Sequence, residues 1–293
     1  MKHIKLANLA IAAGLALASA QLARAVPNAV VEAVQMPAWV ERGNATIPLA
    51  PGMELRDRDR LRTGAKSKLL LKMREGSLVR LGENGTLLLD QMAEGGDRVF
   101  AAVMNVFQGA FRFTTDVLRA QRRRNINITI ATVTAGIRGT DLWGKAASDK
   151  DIVCLIEGKI EVRRGQDEPF KMDQPLSFYI APRGAPALPV APVDAEQLRI
   201  WAAETQIALG SGAAYRGGKW KVIAASVDTQ ADALRLYDAL RAAGYAAEIR
   251  PAMLGGKRIY DVRLAHLPSR AEAEALARSI RGRPGVAEPR VSR

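Results

Sequence analysis

Between residues 26 and 190, apolar and polar positions alternate in short runs. The runs are KLLLKM (68–73), LVRLG (78–82), TLLLD (86–90), NITIATVT (127–134), DIVCLIEG (151–158) and KIEVRRG (159–165). Turn signals separate them: Glu75-Gly76, Asn84-Gly85, Gly95-Gly96, Glu157-Gly158 and Gly165. A two-residue period puts successive side chains on opposite faces, so each run predicts a strand. Many short strands at this spacing predict an all-β sandwich or roll. The pattern then changes. APRGAPALPVAP (181–192) is a Pro-rich exit, and 194–210 carries Leu198, Trp201, Ala202, Thr205 and Leu209 at helical spacing. This predicts a helix capped by Asp194 and stopped by Gly210. GSGAAYRGG (210–218) has the composition of a flexible linker.

The segment 218–293 repeats itself at an offset of 40 residues. Trp220 meets Tyr260, Val222 meets Val262, Thr229 meets Ser269, Leu236 meets Leu276, and Arg250 meets Arg290. Each half reads strand, helix, strand. Thr229-x-x-Asp232 and Ser269-x-x-Glu272 are capping patterns, and Gly244 and Gly282 stand where the helices stop. The predicted unit is β-α-β-β-α-β, one four-stranded sheet with both helices on one face. Alternation directs Trp220, Val222, Ala224, Tyr260, Val262, Leu264, Ala247 and Ile249 to the helices. It leaves Lys221, Ile223, Ala225, Glu248, Arg250, Asp261 and Arg263 on the open face.

Charge narrows the partners. The chain carries a formal +13, which suits an acidic partner: nucleic acid, anionic lipid or an acidic cell-wall polymer. MKHIK is a basic start, LANLAIAAGLALASA an apolar run short for a membrane span, and Ala23-x-Ala25 a cleavage pattern. The expectation is a signal peptide over 1–25, export to the periplasm and no stable membrane insertion. Nucleic acid is disfavoured, although the C-terminal segment is basic and has the topology of RNA-binding sheets. Those sheets stack bases on open-face aromatics, whereas Trp220 and Tyr260 are assigned to the core face. Arg122-Arg123-Arg124 reads as a solvated loop.

Catalysis and cofactors find little support. His266 is the one histidine left after the leader, too few for a zinc hydrolase site. Cys154 is the only cysteine and lies in an apolar run, so it reads as an inert buried thiol rather than a nucleophile. No metal or other cofactor is expected.

Two resemblances add to this reading. KWKVIAASVDTQADALRLYDALRAAGYAAEIRP, with KRIYDVRLAHLPSRAEAEALARSI after it, resembles a SPOR domain, a bacterial envelope module that binds peptidoglycan. The resemblance covers 218–293. It implies that the open sheet face meets glycan strands, with Lys221, Ile223, Arg250 and Arg263 as contacting residues. The chain departs from the family pattern at Ile223, Ala225, Val227, Asp261 and Ala265-His266-Leu267. LRDRDRLRTGAKSKLLLKMREGSLVRLGENGTLLLD resembles the core of a FecR domain, and QGAFRFTT (108–115) and TVTAGIRGTDLWGK (132–145) match its later blocks. In GIRGTD, Gly136 and Gly139 permit a tight or positive-φ backbone, Arg138 and Asp141 are placed to pair, and Trp143 returns to the core. Familiar FecR proteins carry signals from the envelope to a sigma factor through a membrane helix. A cleavable leader argues against that role.

The sequence therefore predicts a signal peptide (1–25), a FecR-like β domain (36–190), a helix and flexible linker (194–217) and a SPOR-like α/β domain (218–293). The expected function is non-catalytic binding of peptidoglycan glycan strands, with an envelope protein as a possible partner of the FecR-like domain. The alternative is periplasmic signalling or ligand sensing through the FecR-like domain, with the SPOR-like domain as an anchor or partner-binding module.

Overall fold

The structure, a computed structural model, describes residues 27–94, 100–115, 124–137 and 139–293. The expected leader, the Gly95-Gly96 turn, Arg122, Arg123 and Arg138 lie outside them. The molecule is mostly β, with a sheet-rich N-terminal region followed by an α/β region.

The N-terminal region is a roll of two sheets that share one long strand, Phe100–Thr114. Residues Phe100–Gln108 pair with Thr86–Glu94 in one sheet, and Gly109–Thr114 pair with Asp141–Ala146 in the other. The crossing point is Gly109, at φ +87. A Cβ there would stand 2.7 Å from the Cα of Gly85, so the two backbones meet too closely for any side chain. Inward-facing positions are even before this corner (Ala102, Met104, Val106) and odd after it (Phe111, Phe113). Phe107, an odd position just before the corner, faces outward and is 46% exposed.

The first sheet runs from Ala29–Gln35 through Lys68–Met73, Leu78–Leu81, the second half of the long strand, Asp141–Ala146 and Lys150–Glu157 to Ser177–Pro182. The roll thus begins at Ala29, ahead of the expected boundary at 36. The run 127–134 is also not one strand. It breaks at Ala131, whose φ is +46, and folds back as the hairpin Arg124–Ile130 with Val133–Ile137.

Neighbouring residues in the first sheet are buried on both faces. Leu142, Val153 and Leu155 join the core between the sheets. Trp143, Ile152, Cys154 and Ala110 form a second core on the outer face. Helix α1 (Ala195–Thr205) covers that face. Its N-cap Asp194 accepts from the Gln197 N–H at 2.8 Å. Trp201 stacks on Trp143 with centroids 4.7 Å apart and meets Phe178 edge-on at 5.6 Å. At the other end, the Lys68 ammonium donates to the carbonyls of Ala203 and Gln206, a cation at the negative end of the helix dipole. The helix ends at Thr205, not near Gly210, and Leu209 is almost fully exposed.

The stretch expected to be a flexible linker is ordered instead. Ala214–Tyr215 pairs with Ala29–Gln35, and Ala213 and Ala214 are buried. The buried carboxylate of Glu272 accepts from the backbone N–H groups of Gly210, Gly212 and Ala213 at 2.6, 2.6 and 3.2 Å. Composition suggested freedom; three amides aimed at one carboxylate remove it.

The C-terminal unit is the expected β-α-β-β-α-β arrangement. Its strands lie in the order Ala247–Leu254, Lys257–Leu267, Trp220–Val227, Arg290–Ser292. Helices α2 (Gln230–Ala242) and α3 (Arg270–Ile280) bury Ala233, Leu236, Leu240, Ala273, Leu276 and Ile280. Thr229 and Ser269 cap them, each accepting from the N–H three residues on. Gly244 ends α2 at φ +85 and touches the roll: its carbonyl accepts from the Ala38 N–H, and a Cβ there would strike Trp39.

Trp201→Ala is expected to destabilise the roll by about 3 kcal/mol, in the range for loss of a buried tryptophan with its ring stack. Urea unfolding of the full chain measures it. A change below about 1 kcal/mol, the level of ordinary surface substitutions, would show that α1 is not part of the roll's core.

Candidate functional site

The open face of the C-terminal sheet is built by its register. Ile223 lies opposite Arg263, which lies opposite Glu248 on the next strand. Arg250 lies opposite Asp261, and Arg290 of the last strand lies opposite Ile223. Lys221, Ile223, Arg250 and Arg263 are thus all on the side away from the helices. The structure brings Ile223, Arg250 and Arg263 into one patch, and Lys221 extends it along the first strand.

Alternation fails at one point of that strand. A bulge between Ile223 and Ala225 sets Ala225 opposite Val262, packed toward the core rather than open as expected. Ser226 then takes the open side, opposite Asp261. A second bulge between Trp220 and Val222 matches His266 at φ +68 on the partner strand. Trp220 and Tyr260 are half-buried and pack against the core, as expected.

The face is a connected polar surface. Arg263 Nη2 donates to the Glu248 carboxylate at 3.1 Å, and Arg250 Nε lies 3.6 Å from the same group. Ser226 Oγ donates to Asp261 at 2.5 Å and accepts from Arg290 at 2.6 Å. Lys221 Nζ donates to the Arg293 carbonyl at 2.6 Å. One carboxylate between two guanidiniums leaves most of their five N–H donors each unspent and fixes their directions. Such a face can offer donors to hydroxyl or carbonyl oxygens around the aliphatic Ile223. Sequence reasoning did not name Ser226 or Arg290 for this face. The 40-residue repeat pairs Arg290 with Arg250, a signal that could have found it; the bulge that exposes Ser226 leaves no sequence mark.

The GIRGTD corner is structural in all that can be described of it. Gly139 has φ +65, but Gly136 sits mid-strand between Asn127 and Glu161 with no special backbone. Asp141 pairs with Arg112, through Arg112 Nε at 2.8 Å and Nη2 at 2.6 Å; Arg138, its expected partner, lies outside the described residues. That bond and the charge of Asp141 hold the Arg112 guanidinium above its ordinary pKa, against the cost of burial. Buried Thr140 gives its N–H to Thr115 Oγ1, which donates to the Thr140 carbonyl, both at 2.9 Å. Trp143 is buried under α1. Thr63 of the Arg-Thr-Gly block is similarly internal, donating to the Gly82 carbonyl and accepting from the Gly85 N–H. Burial pushes the Cys154 thiol up to about 12, so it stays protonated at neutral pH. Among the described residues, no three His, Cys, Asp or Glu side chains gather where they could hold a metal.

Comparison with known proteins gives two family matches. Residues 59–161 match the family model "FecR protein", and residues 217–287 match the model "SPOR domain". Two crystal structures of a protein ascribed to the anti-sigma factors, from Parabacteroides distasonis ATCC 8503, share 14% and 15% identity with the chain, each with a TM-score of 0.40. The matches cover 49% and 78% of this chain. The first spans 64% of the solved chain and the second 96%. A search of curated proteins gives no match. Among the described residues no helix is long and apolar enough to cross a membrane.

Two glycines test the corner. Gly139 has open space around it, so Gly139→Val brings backbone strain alone, about 1–2 kcal/mol. Gly158 has φ +92, and a Cβ there would lie 2.5 Å from the Gly139 carbonyl oxygen. Gly158→Ala therefore adds a backbone clash to the strain and is expected to cost more than about 2 kcal/mol. Denaturant midpoints of the two variants give the order; an unchanged midpoint for Gly158→Ala would mean the two loops do not pack as described.

Proposed function

We propose that this chain, a FecR domain with a SPOR domain at its C-terminus, is an exported, non-catalytic cell-envelope protein that binds peptidoglycan glycan strands through the open sheet face. The SPOR match over 217–287 carries the reading, because SPOR domains are peptidoglycan-binding modules. The open face supplies suitable chemistry. Sugars present hydroxyl groups and apolar ring faces; Arg250, Arg263, Lys221 and Arg290 are donors, and Ile223 is an aliphatic patch between them. In this reading the leader over 1–25 directs the protein to the periplasm, and the roll serves as a scaffold whose partner is an envelope protein. The FecR match favours a second reading, in which the roll senses a ligand or partner and the SPOR domain anchors it to the wall.

The test is co-sedimentation of the full chain with purified sacculi. Hydrogen bonds to charged groups contribute about 1.5–3 kcal/mol each, so Lys221→Ala with Arg263→Ala is expected to weaken binding at least tenfold. Neither side chain enters the core, and circular dichroism should show an unchanged fold. A folded double variant that binds as well as the parent would remove this face from the proposal. A parent that fails to bind would remove the glycan reading itself.

A further inference from the structure

A second surface lies in the roll, remote in sequence from the SPOR domain. An open cleft of about 1260 Å³ crosses one end of the roll, beside the corner where the long strand changes sheets. Phe107, Gln108, Gly109 and Ala110 of that corner line it, together with Ile200, Ala203 and Glu204 of α1. The same two devices that define the roll therefore define the cleft. Phe107 faces out at the last outward position before the corner, and the seating of α1 leaves Ile200 48% exposed.

Its lining is mixed in a definite way. Four cations, Lys66, Lys68, Lys145 and Arg183, stand against two carboxylates, Glu83 and Glu204. Most are oriented by the protein. Lys145 lies 2.8 Å from Glu204, and Lys68 is spent on the end of α1. Arg183 gives Nε and Nη2 to the Ala147 carbonyl and Nη2 to the buried Asp151, which leaves Nη1 uncommitted among the described residues. The backbone N–H of Lys66 holds Glu83, while its ammonium joins no ion pair among the described residues. The cleft thus offers a surplus of positive donors, the side-chain amides of Gln35, Asn84 and Gln108, and two exposed apolar side chains, Ile200 and Phe107, the latter with the Arg60 guanidinium 4.8 Å over one face of its ring.

We propose that this cleft is a binding site for a carboxylate-bearing oligosaccharide. Amides serve hydroxyl groups as both donor and acceptor, Phe107 and Ile200 serve sugar ring faces, and Lys66 with Arg183 serves the carboxylates. An extended peptide fits less well. It would pair with a free strand edge, but the strands lining the cleft are interior ones: Lys68–Met73, Phe100–Thr114 and Asp141–Ala146 are each paired on both sides. The site stands independently of the sheet-face proposal.

The test is isothermal titration calorimetry of the full chain with a galacturonate hexamer as probe and neutral chitohexaose as control. The parent should bind the acidic hexamer at least tenfold more tightly than the neutral one. Lys66→Glu with Phe107→Ala, both surface changes, should lose at least tenfold in affinity, with circular dichroism unchanged. Lys221→Ala with Arg263→Ala on the other domain should leave this binding intact, which separates the two sites. No measurable binding by the parent, or equal binding by the Lys66/Phe107 variant, would overturn the proposal. Competition by hexaglutamate as effective as the galacturonate hexamer would overturn the assignment to a sugar.

Discussion

The sheet that carries Trp143 has two apolar faces, and both must be covered. The second sheet covers one; α1 covers the other, with Trp201 set between Trp143 and Phe178. The arrangement of the C-terminal half depends on this. Seating Trp201 draws the chain from 194 to 206 across the outer face, where Lys68 receives the end of the helix. From there the chain can add Ala214–Tyr215 as a strand beside Ala29–Gln35 and deliver Gly210, Gly212 and Ala213 to Glu272. The SPOR unit is thereby held against the roll at α3, and at α2 through Gly244 and Trp39.

The contacts differ in weight. Burial of the Trp201 ring is a large contribution, since apolar surface leaves water and the ring stack adds about 0.5–1.5 kcal/mol to it. The Glu272 clasp comes next. Its carboxylate is buried, and three N–H donors compensate its desolvation; without them the group would be costly to bury. The exposed ion pairs, such as Lys257 with Asp228 and Arg270 with Glu274, add little to stability. On the open sheet face their relatives act differently: Glu248 orients an exposed Arg250 and a part-buried Arg263.

Much of the fold was legible because local patterns and tertiary packing agree. The 40-residue repeat and the caps at Thr229 and Ser269 specified the C-terminal topology, and alternation assigned Lys221, Ile223, Arg250 and Arg263 to one face. Alternation failed at Ala225 because a bulge adds a residue without any change in hydrophobic pattern. The linker was misread because Gly and Ser permit disorder but do not require it; what orders them is a glutamate 60 residues away, the residue that the capping pattern had assigned to α3. Arg112 was not foreseen as the partner of Asp141, since antiparallel neighbours 29 residues apart are invisible to local reading. The cleft was illegible for the same reason: it depends on where a glycine corner and a helix meet.

A C-terminal unit fixed to the roll, rather than tethered by a free linker, is the claim that sets the two candidate surfaces relative to each other. Amide hydrogen exchange at Gly210, Gly212 and Ala213 in the native full chain tests it most directly. Backbone N–H groups bonded to a buried carboxylate should be protected together with those of α3, opening only when the clasp opens. Exchange of all three amides at the rate of an unstructured peptide would contradict it.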